Sequence, residues 1–107
     1  MATSTIKNPM AWKLKGTASG VGSTVNMPTD YNEIMLVATY STYSFFSTVP
    51  KSEISSTAIY PRFATYYNAS SNAGGYFTVN SSTASIGSLT QNSGQAVTGA
   101  TFKLYYR

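Results

Sequence analysis

The octapeptide Ala100-Thr-Phe-Lys-Leu-Tyr-Tyr-Arg107 sets the strongest limit on what this chain can become. Ala100, Phe102, Leu104 and Tyr106 occupy every second position, so an extended backbone turns all four to one face. The same two-residue period recurs upstream. Trp12 and Leu14 share one face of Trp12-Lys-Leu-Lys15 with two lysines on the other, and Val25 and Met27 point inward from Ser23–Met27. Turn residues cut these runs short: Gly16, Gly20-Val-Gly22, Pro28–Asn32 and Gln91–Gly94.

Glu33–Tyr40 reads differently. Ile34, Leu36 and Ala38 fall on one face, Met35 and Val37 on the other, which predicts a central strand covered on both sides. Tyr43–Val49 predicts a further strand that stops at Pro50, and Lys51–Ser56 carries the only expected helical turn. Ile59–Tyr67 is extended, with Pro61 at an edge or a bulge. Asn68–Gly75 reads as a loop, followed by strands over Tyr76–Asn80 and Ala84–Leu89. The expectation is an all-β fold: a small antiparallel β-sandwich or jelly roll of about eight short strands. Residues 1–10 form an extended lead-in or attachment segment, and residues 11–107 form one domain of a size that can bury a single core.

Composition agrees with strands and narrows the chemistry. Charged residues are 9% of the chain, against roughly 25% in an average soluble protein. Hydroxyls supply the polarity instead, through 16 Ser and 15 Thr, and aromatics reach 14%. The net charge of +4 comes from seven scattered cations. A nucleic-acid site clusters its cations, so none is expected. The opening residues hold no apolar core of a signal peptide. No segment has the ~20 apolar residues of a membrane span, so no membrane insertion is expected. Two glycosylation triplets, at Asn68 and Asn80, read as chance.

The chain has no Cys and no His. That removes disulfides, thiolate metal sites and the usual histidine base of a nucleophile triad. Three carboxylates remain, Asp30, Glu33 and Glu53. They are too few for a calcium loop, and nothing sets two of them across a cleft as glycoside hydrolysis requires. Asp30 reads as a turn cap and Glu33 as the solvent end of a buried strand. Gly16–Gly22 lacks the lysine and helix of a phosphate loop. The expectation is a protein without enzymatic activity, cofactor or metal.

Tyrosines are the remaining candidates. Tyr40, Tyr43, Tyr60, Tyr66, Tyr67 and Tyr76 fall at strand ends and loop flanks, where exposed rings can stack on sugars or anchor an interface. In Tyr66-Tyr67 and Tyr105-Tyr106, alternation sends one ring inward and the other outward. The candidate receptor-binding set is Tyr40, Tyr43, Tyr66, Tyr67, Asn68, Asn72 and Tyr76.

Four segments, AWKLKGTASG, MPTDYNEIMLVATY, STVPKSEI and ATFKLYYR, together resemble small domains of bacteriophage virion fibres. The likeness is to tail-fibre or head-fibre proteins of phages infecting Bacillota and other gut bacteria, and it runs from Trp12 to Arg107. In those domains a WKLLG-like strand precedes LPSDFNELYV-like and IPK-like segments, and an LKVYYR-like strand follows. The resemblance implies a β-sandwich or jelly-roll homotrimer at a fibre end, assembled in the bacterial cytoplasm and displayed on the virion surface. It would attach to other virion proteins through residues 1–10 and bind a host cell-surface glycan or protein. It carries no functional residues across. A purely structural capsid or tail decoration is the alternative, and a small carbohydrate-active hydrolase is a further one.

Overall fold

The structure, a computed structural model, describes residues 11–68, 71–92 and 94–107, with backbone alone at 66–68. The lead-in expected over residues 1–10 lies outside the described residues.

Among the described residues nine strands build two antiparallel sheets. The first has the order β1 (Lys13–Ser19), β9 (Thr101–Tyr106), β3 (Glu33–Tyr40), β4 (Tyr43–Pro50). The second runs β2 (Thr24–Asn26), β7 (Thr83–Gln91), β6 (Ser71–Val79), β5 (Arg62–Asn68), with the short β8 (Gln95–Ala96) also on β7. The expected all-β, two-layer architecture is what the chain adopts.

The core lies between the sheets and follows the alternation. Ile34, Leu36 and Ala38 of β3 meet Phe102 and Leu104 of β9 on one side. Phe77 and Val79 of β6 meet Ala84, Ile86 and Leu89 of β7 on the other. A run of rings ties the layers together: Phe45 lies 4.5 Å from Phe63, Phe63 lies 4.8 Å from Phe77, and Phe77 lies 5.9 Å from Phe102. Fully burying each such ring is worth ~1.5–3 kcal/mol. Of the Tyr105-Tyr106 pair, Tyr106 packs against the core, as alternation requires.

Several boundaries differ from expectation, each for a physical reason. Gly16 does not end β1. It sits inside the strand after a bulge between Leu14 and Gly16, and a Cβ there would meet Val25 Cγ1 at 2.8 Å, so only glycine lets β1 lie against β2. The bulge sets Leu14 on the outer surface, 53% exposed. β3 is central, yet among the described residues no second layer covers its outer side. Val37 is buried there between its register neighbours Phe46 and Lys103, and Met35 is half-buried. The helical turn is a single 3-10 turn at Lys51–Glu53. Pro61 precedes β5, the edge strand of its sheet.

The largest correction concerns Asn68–Gly75. Ser71–Gly75 is not loop but the first half of β6, paired to β5 and β7 on its two sides. Ser, Asn and Gly are weak strand formers. Here two flanking strands supply the hydrogen bonds that propensity does not.

Candidate functional site

On the outer surface of the second sheet, three strands align their outward residues in two rows. Arg62, Tyr76 and Ser88 form one row, and Ala64, Gly74 and Thr90 form the next. The second row is small, and the surface sinks into an open groove of about 540 Å³ lined by these six residues and nearby backbone. That volume falls within the ~300–1,000 Å³ of small-ligand sites.

Tyr76 organises the groove. It follows Gly75 and precedes Phe77, so alternation puts Phe77 in the core and Tyr76 outside. A bulge inserts Gly87 into β7 opposite this point. A Cβ at Gly87 would meet the Tyr76 ring at 2.5 Å, so the ring lies directly on the glycine backbone. From the β5 side the Arg62 guanidinium covers the ring at 5.6 Å. Tyr60 meets the ring edge-on, with centroids 5.4 Å apart and planes at 86°. Tyr76 is thus a post between Gly87 and Arg62, and Tyr60, 54% exposed, is the ring offered to solvent. Thr90 donates a hydrogen bond to the Gly74 carbonyl at 3.4 Å, and Ser88 adds a second hydroxyl. Among the described residues Arg62 is the one charged side chain lining the groove. The chemistry these residues offer is stacking, hydroxyl hydrogen bonding and a forked cation.

The carboxylates lie elsewhere. Glu33 pairs with Arg107, Nη2 to Oε1, at 3.2 Å, and that guanidinium sits 4.1 Å from the centre of the Trp12 ring. Main-chain bonds close the same junction. The Arg107 carbonyl accepts from the Asn32 and Glu33 amides at 2.8 and 3.1 Å, and the Arg107 amide donates to the Glu33 carbonyl at 3.1 Å. Beside it the Lys51 amide donates to the Asn32 carbonyl at 2.9 Å, and the Lys51 ammonium lies 5.0 Å from the Tyr31 ring. Burial raises the Tyr31 pKa above its usual value. Asp30 and Glu53 are exposed. No group of three His, Cys, Asp or Glu able to hold a metal forms among the described residues. Trp12, Tyr31 to Glu33, Lys51 and Arg107 belong to the four segments quoted above, and the fold joins them into one lock.

The seven candidate residues divide. Tyr40 and Tyr43 face each other beside the Ser41-Thr42 turn and pack partly against the core. The Tyr40 hydroxyl accepts a hydrogen bond from Gln91 Nε2 at 3.1 Å. The Asn72 backbone N–H donates to Asn92 Oδ1 at 3.1 Å, so Asn72 and Tyr40 share one end of the sandwich through the turn after β7. The side chains of Tyr66, Tyr67 and Asn68 lie outside the described residues. Tyr76 alone of the described candidates lines the groove. Sequence reasoning misses Arg62, Ala64, Gly74, Ser88 and Thr90. The usable signal is the alternation of Tyr60, Arg62 and Ala64, which the intervening Pro61 obscures.

Comparison with family models, with curated proteins and with solved structures finds no match to this chain.

Proposed function

We propose that this chain is a non-enzymatic surface domain of a phage virion, of the tail- or head-fibre kind, which binds a glycan of the host cell surface. The observation that carries the reading is the groove on the second sheet. A tyrosine, a guanidinium and two hydroxyls line a floor of Ala64 and Gly74, with the exposed Tyr60 beside Tyr76, a mixture that suits hydroxyl-rich sugar rings. The virion context rests on the likeness of the four quoted segments to fibre domains. Trimerisation rests on that likeness too, and finds support in the outer face of the first sheet. Leu14 and Phe46 are 53% and 64% exposed there, with half-buried Met35 and Tyr105 between them. Such a face is available to copies of the chain. Three weak sites on one trimer gain avidity of ~10²–10⁴.

The test is binding of fluorescently labelled protein to a panel of intact Bacillota and other gut bacteria. We expect saturable binding to a subset of strains, a loss of tenfold or more on Tyr76→Ala, and loss after enzymatic stripping of surface polysaccharide. Binding that survives both treatments sinks the glycan reading. Failure to bind any strain favours the purely structural decoration. Light scattering after gel filtration tests the trimer, which a monomeric mass at high concentration would exclude.

A further inference from the structure

The groove's charge carries the reading one step further, to the class of sugar. We infer that the groove selects an acidic saccharide, a sugar ring bearing a carboxylate or a phosphate, with Arg62 as the residue that reads the acid. The inference rests on the glycan reading above and sharpens it.

Four observations support it. First, Arg62 is exposed at the groove wall, and none of the chain's three acids neutralises it. Glu33 is engaged with Arg107, Asp30 lies in the turn before β3, and Glu53 lies in the 3-10 turn. Among the described residues no carboxylate comes within ion-pairing distance of Arg62. Second, the guanidinium has a ring to lie over. It rests on the Tyr76 ring at 5.6 Å, and that ring is fixed in turn by Gly87 and by the edge of Tyr60. A guanidinium lying over a ring face leaves its N–H fork, which points outward in the guanidinium's own plane, free to engage a carboxylate or phosphate with two parallel hydrogen bonds. Third, among the described residues the rest of the lining has no charge to repel an anion: Ala64, Gly74, Ser88 and Thr90. Fourth, the net charge of +4 draws anionic polymers toward the surface.

The parts then have distinct tasks. Tyr60 takes the apolar face of the ring, Ser88 and Thr90 meet its hydroxyls, and Arg62 takes the acid. Tyr76 lines the groove and positions the other two, Tyr60 standing beside it.

The experiment is an array of oligosaccharides printed in matched pairs. Glucuronate-, galacturonate-, sialate- and sugar-phosphate-bearing members stand beside their neutral parents or methyl esters, and the best pair is titrated by calorimetry. Wild-type protein should bind the acidic member at least tenfold tighter, with a preference that falls as salt rises. Arg62→Gln should bring the two members of a pair within twofold while leaving circular dichroism and melting temperature unchanged. Arg62→Lys, which keeps the charge and loses the fork, should retain only part of the preference. Carboxylate and phosphate spots tell the two sources of the acid apart. Equal binding of acid and neutral members, or a preference that survives Arg62→Gln, overturns this inference and leaves the glycan reading intact. Binding to cells with no binding to any spot overturns both.

Discussion

The molecule contains one contact twice: a guanidinium lying over an aromatic ring. At the lock, Arg107 covers Trp12 at 4.1 Å and meets the Glu33 carboxylate at 3.2 Å, and main-chain bonds fix the strand end on which it lies. At the groove, Arg62 covers Tyr76 at 5.6 Å, has no carboxylate, and borders open space of about 540 Å³. The difference shows how surroundings decide the role of a residue pair. A cation whose charge is met inside the fold contributes to stability. The same cation left unmet beside a cavity offers its charge to something outside. Mutations at the two places should therefore separate stability from binding.

The largest effect comes from behind the groove. Phe77 is fully buried and sits next to Tyr76 on the opposite face of β6. Phe77→Ala should remove ~3–5 kcal/mol of stability, read as a drop in the urea midpoint. Tyr76→Ala, one residue away, should cost under ~1 kcal/mol by the same measurement while abolishing most cell binding. Equal losses of stability from the two would mean that the outer ring is part of the core after all, and the groove would lose its standing as a site.

At the lock the order reverses. Arg107→Ala removes an ion pair that is about a quarter exposed and a cation–ring contact, together ~1–2 kcal/mol. For a domain of this size the melting temperature should fall by ~4–16 °C. Binding to cells by the fraction that remains folded should match wild type. A binding defect at a temperature where the variant is fully folded would show that the lock also serves recognition. Trp12→Leu keeps an apolar cover and loses the ring quadrupole, so its loss should be smaller than that of Arg107→Ala.

These contrasts also explain what the sequence can and cannot reveal. The strands at 33–40, 43–50 and 101–106 are legible because one face of each is buried, and burial writes a two-residue period into the chain. The acids Asp30 and Glu33 are readable as structural because turn chemistry accounts for them, although nothing local could name Arg107 as the partner of Glu33, 74 positions away. The groove is hidden for the opposite reason. Its floor is made of Ala64 and Gly74, whose value lies in what they lack, and Ser71–Gly75 has the composition of a loop. Only the register that sets Arg62 against Tyr76, and Tyr76 against Ser88, makes one surface of residues spread over 60–90. Tyr40 and Tyr43 stand out in the sequence as aromatics flanking a turn, and the turn is the reason they pack where they do.

Tyr60 sets a finer test. It is exposed and meets Tyr76 only by its edge, so Tyr60→Ala should leave the melting temperature within ~2 °C of wild type. Affinity for the preferred saccharide should fall several-fold, less than for Tyr76→Ala, which frees Arg62 as well. Calorimetric titration of the two variants side by side decides the order. If Tyr60→Ala proves the more damaging, direct stacking outweighs positioning in this groove.

The smallest expected effect returns to the lock and concerns pH. Burial raises the Tyr31 pKa in the folded state, because a phenolate is poorly solvated beside the core. The unfolded chain therefore loses this proton first, near the ordinary tyrosine value of ~10. Stability from this source is fully present below that pH and is lost as pH rises through the higher folded value. Other tyrosines and the lysines titrate in the same alkaline range, so the informative quantity is the difference between wild type and Tyr31→Phe. Urea midpoints measured from about pH 8 to 11 should run parallel for the two proteins up to about pH 9.5 and then diverge. Wild type should fall faster, because the Tyr31→Phe variant has no phenolic proton to lose at this position. Parallel curves throughout would mean that Tyr31 is as well solvated as a tyrosine in the unfolded chain, and that the ring under Lys51 belongs to the open surface rather than to the closed junction around Arg107.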